Sequence, residues 1–324
     1  MSEPVRRIAM WSGPRNLSTA MMRSFSSRPD CAVSDEPFYA AYLAASQRGD
    51  GGFAGRQGGS DLYYTGFALR GLTLLGALTE QAAGRAATFL QSQLGGNLAP
   101  VDFLSLVFSS VLLELSHGFE VFARQGIDRN VEIPRRLAPL QRSDGGFAKT
   151  AQSGQGSTYH TFLSVACLQL IGAAVDRPER IGELIRARRR DDGGYAELDV
   201  INRGGTNPTA AAVALLRLLQ PDQPPLPAAD CRRTIQFLAR MQTADGGLRA
   251  NAQIPAGDLL STCTGLVALA DLDGLDAVNL DRATRFALNL ENAGGGFRGG
   301  GWDSQVDAEY TFYGLATRAF LATA

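Results

Sequence analysis

Two kinds of apolar pattern alternate along the chain from about residue 50 onward. The first kind is apolar on nearly every face, and a helix with this pattern is buried on most of its sides. It occurs at 65–76, 161–172, 209–220, 262–272 and 311–321. The second kind has apolar residues at three- and four-residue spacing with charges between them, which indicates an amphipathic helix. It occurs at 80–93, 177–190, 229–242 and 280–292. The alternation predicts pairs of one buried inner helix and one outer helix.

Glycine pairs separate these helices at a regular interval. Five pairs are each followed by an aromatic residue or Leu, and they begin at Gly51, Gly145, Gly193, Gly246 and Gly295. A degenerate pair begins at Gly95, and the successive intervals are 44, 50, 48, 53 and 49 residues. A period near 48 residues is the mark of a repeat architecture.

A threonine stands at the head of each regular apolar stretch. It lies 16 residues after the first glycine in four repeats and 14 residues after it in the first one. These threonines are Thr65, Thr161, Thr209, Thr262 and Thr311, and a small residue follows each of them three positions later. Residues 38–47 stand where a sixth outer helix belongs. The sequence therefore predicts an all-α fold, an α/α toroid of six helix pairs that closes on itself.

Composition argues against several classes of protein. With 31 basic and 32 acidic side chains, the net charge of −1 disfavours binding to nucleic acid or to an anionic membrane. The four cysteines form no Cys-x-x-Cys pair and the chain has two histidines, so we expect neither a disulfide scaffold nor a Cys/His zinc finger. No signal-peptide pattern and no uninterrupted apolar run of about 18 residues is present. We therefore expect a cytoplasmic protein that is not integral to a membrane.

The glycine–aromatic loop, the threonine-headed inner helix and the period resemble the β-subunits of protein prenyltransferases and, more distantly, squalene and terpene cyclases. The resemblance covers about residues 46–324. It implies a barrel whose apolar funnel holds an isoprenoid tail, with the diphosphate at a basic rim. It also implies a zinc ion that activates a substrate thiol, and a helical-repeat partner subunit.

The zinc ligands implied by the resemblance are mostly replaced in this chain. The family's Asp falls on Asp258, its Cys on Leu260 and its His on Tyr310. One ligand of three remains, so the sequence does not support a soft-donor zinc site. The histidine of the family's diphosphate clamp maps approximately onto Arg203, which can still bind a phosphate. Asp258 and Tyr310 remain candidate catalytic residues by position.

Each regular glycine loop carries a basic residue, and equivalent loops of a closed ring lie at one rim. These residues are Arg56, Lys149, Arg203, Arg249 and Arg298. Two interpretations stay open: an anion-binding mouth above an apolar well, or a solvated rim in which the basic side chains pair with loop carboxylates. The candidates for the lining of the well are the aromatic residues near the inner-helix starts: Tyr63, Tyr64, Tyr159, Trp302, Tyr310 and Tyr313. His160 is either a third candidate catalytic residue or a structural histidine.

The first 45 residues do not fit the repeat. Residues 8–11 predict a short strand, 12–19 a phosphate-binding loop and 17–25 a helix, and this order resembles the opening of a sulfotransferase family. The resemblance implies that Arg15, Ser18 and Thr19 would contact the 5′-phosphosulfate of the donor nucleotide. The parallel sheet that a sulfotransferase needs does not follow. We therefore divide the chain into a sulfotransferase-like fragment at 1–45 and a toroid at 46–324, and expect no sulfotransferase activity.

The leading functional hypothesis is a prenyltransferase-β-like protein that binds an isoprenoid or a similar amphiphile in the central funnel. Transferase activity is left open because the zinc ligands are mostly missing. The alternative is a non-catalytic toroid that serves as a protein-interaction scaffold. A minor alternative is nucleotide phosphosulfate binding by the N-terminal loop.

Overall fold

In the computed structural model, which describes residues 37–323, twelve α-helices form an outer and an inner ring. The outer helices are α1 (Pro37–Ala45), α3 (Glu80–Gln93), α5 (Arg129–Leu137), α7 (Pro178–Ala187), α9 (Ala228–Ala239) and α11 (Leu280–Asn289). The inner helices are α2 (Leu62–Leu74), α4 (Pro100–His117), α6 (Thr158–Leu170), α8 (Thr206–Leu219), α10 (Leu259–Asp271) and α12 (Ala308–Leu321). Each inner helix packs on the next, and α12 packs on α2, so the inner ring is closed. The prediction of six helix pairs is confirmed.

Short strands and single turns of 3₁₀-helix occupy the connections. Strand β1 (Phe53–Ala54) pairs with β2 (Ser60–Asp61), and β3 (Phe297–Arg298) pairs with β4 (Val306–Asp307), both antiparallel. These two-residue ladders lie inside the first and last glycine loops and are the small strand content of a fold that the sequence predicted to be all-α. The 3₁₀ turns are Ala123–Gln125, Ala138–Leu140 and Leu275–Ala277.

The first glycine of each regular pair lets the loop approach the next outer helix. Its φ is 94° at Gly51, 91° at Gly145, 90° at Gly193, 100° at Gly246 and 88° at Gly295. Only glycine adopts this region without strain. A Cβ placed on Gly246 would also collide with the carbonyl oxygen of Arg282 in α11. The glycine is therefore required twice, once for the backbone angle and once for the contact.

The threonine of each regular repeat bonds to the residue after the glycine pair. The Oγ1 of Thr262 accepts a hydrogen bond from the Leu248 N–H at 2.9 Å, and the same bond occurs in the other four regular repeats. The Leu248 side chain packs on Gly265, where an added Cβ would lie 2.5 Å from it. We call the glycine pair, the residue after it, the threonine and the small residue the glycine–threonine motif. The motif fixes each loop to its inner helix.

Helix α1 closes the outer ring. A Cβ on Gly295 would meet the carbonyl oxygen of Phe38 at 2.5 Å, as Gly246 meets α11. The Tyr39 ring stacks on Phe297 with centroids 5.2 Å apart, and Leu43 is fully buried. Residues 38–47 therefore take the outer-helix place that the sequence predicted. The proposed phosphate-loop residues Arg15, Ser18 and Thr19 lie outside the described residues.

The glycine loops are joined side by side at the end of the ring where the inner helices begin. The N–H of Thr158 donates to the Glu197 carbonyl at 3.1 Å, that of Thr206 to Ala250 at 2.8 Å, and that of Leu259 to Gly299 at 2.9 Å. Each acceptor lies four residues after the first glycine of its loop. The same rim therefore carries equivalent positions of successive repeats.

Helix α4 is the one helix in the described part of the chain that is long and apolar enough to cross a membrane. It spans 18 residues, and 61% of that stretch is buried inside the protein. A core helix of a closed ring has the same properties, so this composition is weak evidence for a membrane span.

Candidate central binding site

A half-open cavity of about 250 Å³ lies among the first turns of the inner helices. Its walls are mostly apolar. They are formed by Tyr159 of α6, Asn207 and Pro208 of α8, Leu260 of α10, Glu309 and Tyr313 of α12, and Glu197 from the loop before α8. The cavity therefore draws on four consecutive inner helices and opens at the rim that carries the glycine loops.

One position of the repeat supplies most of these walls. Tyr159, Asn207, Leu260 and Glu309 each lie 14 residues after the first glycine of their repeat, two residues before the threonine. Tyr63 holds the same place before Thr65, and its hydroxyl donates a hydrogen bond to Glu309. The aromatic members of this set were predicted from the sequence as lining residues. Asn207 and Leu260 were not predicted as wall residues, although alignment of the repeats on the threonine would have found them.

Glu197 contributes a largely buried carboxylate to the wall. Its Oε2 accepts a hydrogen bond from the Tyr159 N–H at 3.2 Å, at the start of α6. Burial raises the pKa of Glu197, while hydrogen bonds from Ser157 and Tyr159 and the nearby Arg188 charge act in the opposite direction. The Arg188 guanidinium is itself buried and bonds to the Gly156 carbonyl at 2.9 Å and the Gln155 side chain at 3.0 Å.

Asp258, the candidate catalytic and metal-binding residue, caps an inner helix. Its Oδ1 accepts a hydrogen bond from the Ser261 N–H at 2.7 Å. Asp61 and Asp307 cap α2 and α12 in the same way, which satisfies backbone donors left open at a helix start. Burial raises the pKa of Asp258, against the effect of the bonds from Ser261. Asp258 therefore has a structural role as a helix cap, and its role in catalysis stays a prediction.

The zinc site implied by the family resemblance does not fit these residues. Leu260 offers no donor atom, and one oxygen of Asp258 is held by the helix start. The Tyr310 ring covers Gly299, and burial raises the pKa of its hydroxyl. Within residues 37–323, no cluster of three or more His, Cys, Asp or Glu side chains is arranged to hold a metal ion.

Arg56 joins the first loop to the last one. It bonds to Asp303 at 3.1 and 2.5 Å and to Asp307 at 2.7 Å, and its guanidinium lies 5.7 Å from the centre of the Tyr310 ring. Burial by itself would raise the pKa of Asp303, but the hydrogen bonds from Arg56 hold it below its usual range. This basic residue therefore pairs with loop carboxylates, as the solvated-rim interpretation has it.

The structure does not bring the five basic loop residues together at the cavity. Arg249 donates to the Arg240 carbonyl at 3.2 Å, and Arg298 donates to the Asn289 carbonyl at 2.7 Å, both at the ends of outer helices. Lys149 and Arg203 are exposed. Among the described residues, none of the five lines the cavity.

The remaining candidates are not among the residues that line the cavity. His160 places its Nδ1 2.9 Å from Ser157 Oγ, and its ring meets Tyr159 edge-on at 5.5 Å. Tyr64 is half-buried against Gly55, and burial raises the pKa of its hydroxyl. Trp302 is 63% exposed. Their roles in binding or catalysis stay predictions.

A closed double ring of helix pairs around a central cavity defines an α/α toroid. The prenyltransferase alpha-alpha toroid domain family matches residues 123–187 and 173–324, which is more than half of the chain. The chain belongs to this family. A sulfotransferase domain family matches residues 6–51, so α1 lies within the range of that second match.

Three solved structures show the same fold at low sequence identity. The Candida albicans protein geranylgeranyltransferase-I complexed with GGPP superposes with a TM-score of 0.65 and 18% identity, over 79% of this chain and 82% of that one. The type II terpene cyclase MstE from Scytonema, in complex with geranylgeranyl dihydroxybenzoate, superposes with a TM-score of 0.57 and 14% sequence identity. The superposition covers 93% of this chain and 97% of that one. A protein described as a glycosidase superposes with a TM-score of 0.60 and 15% sequence identity, over 95% of this chain and 98% of that one.

Two curated relatives from Arabidopsis thaliana match a short segment. Branched-chain-amino-acid aminotransferase-like protein 1 is 52% identical over 46 residues, which are 14% of this chain and 8% of that protein. Branched-chain-amino-acid aminotransferase-like protein 2 is 54% identical over 39 residues, 12% of this chain and 7% of that protein. The chain thus spans less than a tenth of the length of these relatives.

Proposed function

We propose that this protein binds a small amphiphile, with the apolar part of the ligand in the central cavity. The observation that carries the proposal is the mostly apolar wall around Leu260, Pro208 and Tyr159 at the centre of a closed ring. The structurally similar geranylgeranyltransferase and terpene cyclase are described with a geranylgeranyl ligand, which favours an isoprenoid as the apolar part.

The size of the cavity limits the ligand. Sites for drug-sized molecules usually measure about 300–1,000 Å³, and this cavity measures about 250 Å³. A short isoprenoid fits the available volume better than a long one. Because Asp258 and the Ser157–His160 pair both lie in helix caps, the proposal assigns binding and no group-transfer step.

Calorimetric titration with geraniol and 1-hexanol tests the proposal. We expect saturable binding of both alcohols to the parent protein. Leu260→Trp should abolish it, because the larger side chain fills the cavity. Leu288→Trp is the matched control, since Leu288 is 42% exposed on the outer helix α11 and its replacement should leave binding unchanged. Absence of saturable binding to the parent, or equal binding by both variants, would refute the proposal.

A protein-interaction scaffold is the competing function, and one surface feature favours it. Val200, Ile254 and Trp302 are 75%, 43% and 63% exposed, and they lie seven or eight residues after the first glycine of three consecutive loops. Exposed apolar side chains at equivalent positions of neighbouring loops favour a common interaction surface. A scaffold without a ligand would show no binding of either alcohol, so the same titration separates the two functions.

A further inference from the structure

We infer that Asn207 selects the head group of the ligand in the central cavity, and that this head group is an uncharged hydroxyl. The inference rests on the proposed function, because it names the polar part of the same amphiphile. Asn207 is the second residue of α8 and lines the cavity. It holds the repeat position that Tyr159 holds in α6 and Leu260 in α10. An amide therefore stands where the two neighbouring inner helices present an aromatic and an apolar side chain.

Two side chains of α10 fix the orientation of the Asn207 amide. The Thr264 hydroxyl donates to Asn207 Oδ1 at 2.7 Å, and Asn207 Nδ2 donates to Ser261 Oγ at 3.3 Å. The Ser261 hydroxyl bonds in turn to the Asp258 carboxylate, which only accepts. The Ser261 oxygen is therefore left to accept from Asn207. The opposite orientation of the amide would place two acceptors, Oδ1 and Oγ, against each other.

One N–H of the Asn207 amide remains for the ligand. An asparagine amide carries two N–H donors, and Nδ2 forms a single hydrogen bond within residues 37–323. The side chain is half-buried in the cavity wall. A ligand that displaces water there without supplying an acceptor would leave this donor unpaired, which costs free energy. The amide therefore selects ligands that carry a hydrogen-bond acceptor.

Glu197 supplies a complementary acceptor in the same cavity. Burial raises the pKa of Glu197, but the hydrogen bonds that its carboxylate accepts and the nearby Arg188 charge favour the ionised form. A carboxylate has about four acceptor sites, so the bond from the Tyr159 N–H at 3.2 Å leaves room for a donor of the ligand. Arg188 also offsets part of the Glu197 charge, so this acceptor does not require a cationic ligand.

A hydroxyl is a small head group that satisfies both side chains. It accepts a hydrogen bond, here from Asn207, and donates one, here to Glu197. An ammonium group has no acceptor and would leave the Asn207 N–H unpaired. A fully ionised phosphate has no donor and would face the Glu197 carboxylate. The apolar residues Leu260 and Pro208 remain for the hydrocarbon part of the ligand.

The test is a calorimetric comparison at pH 8 of ligands of similar length: 1-hexanol, methyl pentyl ether, hexylamine and hexyl phosphate. We expect 1-hexanol to bind most tightly. Its affinity should exceed that of the ether, which accepts but cannot donate, by roughly ten- to hundredfold, the range for a hydrogen bond to a charged group. Glu197→Gln keeps an acceptor without the charge, so it should reduce this advantage to roughly two- to tenfold.

Variants of the amide test the role of Asn207. Asn207→Asp keeps the shape of the side chain but removes the N–H donor. It should weaken the ether roughly two- to tenfold and reverse the order of 1-hexanol and hexylamine, because a carboxylate then faces the head group. Asn202→Asp is the matched control, since Asn202 is exposed in the loop before α8, and it should leave the order of the ligands unchanged.

The outcomes separate this inference from the proposed function. Equal affinity of the parent for 1-hexanol and the ether, or tighter binding of hexylamine or hexyl phosphate, would overturn the inference and leave the amphiphile site standing. The same ligand order in Asn207→Asp and Asn202→Asp would overturn the role of Asn207. If none of the four ligands binds the parent, the proposed function itself fails. The ligand series on the parent protein decides the head group even if a variant does not fold.

Discussion

The fifth and second repeats hold their inner helices in different ways. In the fifth repeat the glycine–threonine motif is complete, with Gly246 at a φ of 100° and Thr262 bonded to the Leu248 N–H. In the second repeat, Gly95 and Gly96 are followed by Asn97. Neither of these two glycines has the positive φ that the first glycine of a regular repeat adopts. Helix α4 has 18 residues against 13 in α10.

The difference shows two ways to anchor a buried helix in this ring. In α10 the small residue Gly265 receives the side chain of Leu248 from the loop. In α4 bulky side chains of the helix itself, such as Phe103 and Phe108, are buried. Helix α4 begins without a side-chain cap and ends at Gly118 with a φ of 72°. A longer apolar helix thus takes the place of the loop contact.

The largest expected effect comes from alanine at the first glycine of the two repeats. Gly246→Ala should lower the free energy of unfolding by about 3–5 kcal/mol, because it combines a strained backbone angle with a collision against Arg282. Gly95→Ala should change it by less than about 0.5 kcal/mol, since no atom lies within 4 Å of the added Cβ. Chemical denaturation of both variants measures the difference. A similar loss in both would show that the second glycine pair also has a structural role.

Helix α1 offers a second test, because it belongs to the ring but lies within the range that matches a sulfotransferase domain. Leu43→Ala should cost about 3 kcal/mol of stability, the usual loss for a fully buried leucine. Phe38→Ala is the control, since Phe38 is 63% exposed. If thermal denaturation shows equal small losses, α1 is not an integral outer helix.

The threonine bond is expected to contribute less than the glycine. Thr262→Val keeps the shape of the side chain but leaves the buried Leu248 N–H without its acceptor, at a cost of about 1–3 kcal/mol. Thr262→Ser keeps the hydroxyl and should recover most of this stability. Urea denaturation of the two variants separates the hydrogen bond from the packing. Equal losses would attribute the role of the threonine to its methyl group.

The C-terminal end of α10 gives the smallest expected effect on stability, and this effect depends on pH. Helix α10 ends at the buried Asp271, and burial raises the pKa of this carboxyl from 3.8 to about 6, against the nearby Arg217 charge. Between about pH 4 and 6 the folded state therefore retains a proton that the unfolded chain has lost. The stability contributed by the parent's Asp271 falls as the pH rises through this window.

Asp271→Asn removes that dependence. Its free energy of unfolding relative to the parent should rise by about 1–2 kcal/mol between pH 4 and 6, and should be constant above about pH 7. Denaturation at a series of pH values measures the difference. A flat profile for Asp271→Asn would show that Asp271 is ionised throughout.

The sequence by itself determined the helix pairs, their number and their order. The reason is local: Gly246 and Thr262 act on backbone groups within the same repeat or the next one, and such contacts recur with the repeat. The place of α1 followed from the same spacing. Even the cavity wall was encoded at a single position, two residues before each threonine.

Only the tertiary structure decided the charge of the binding site. Arg56 finds its acceptors 247 and 251 residues further along the chain, where no local pattern connects the partners. Arg249 and Arg298 bond to the ends of outer helices, although their place in the loops resembles that of rim residues. Side-chain direction depends on which acceptors the closed ring brings near, and the ring brings Glu197 and Glu309 to the cavity instead of the basic residues.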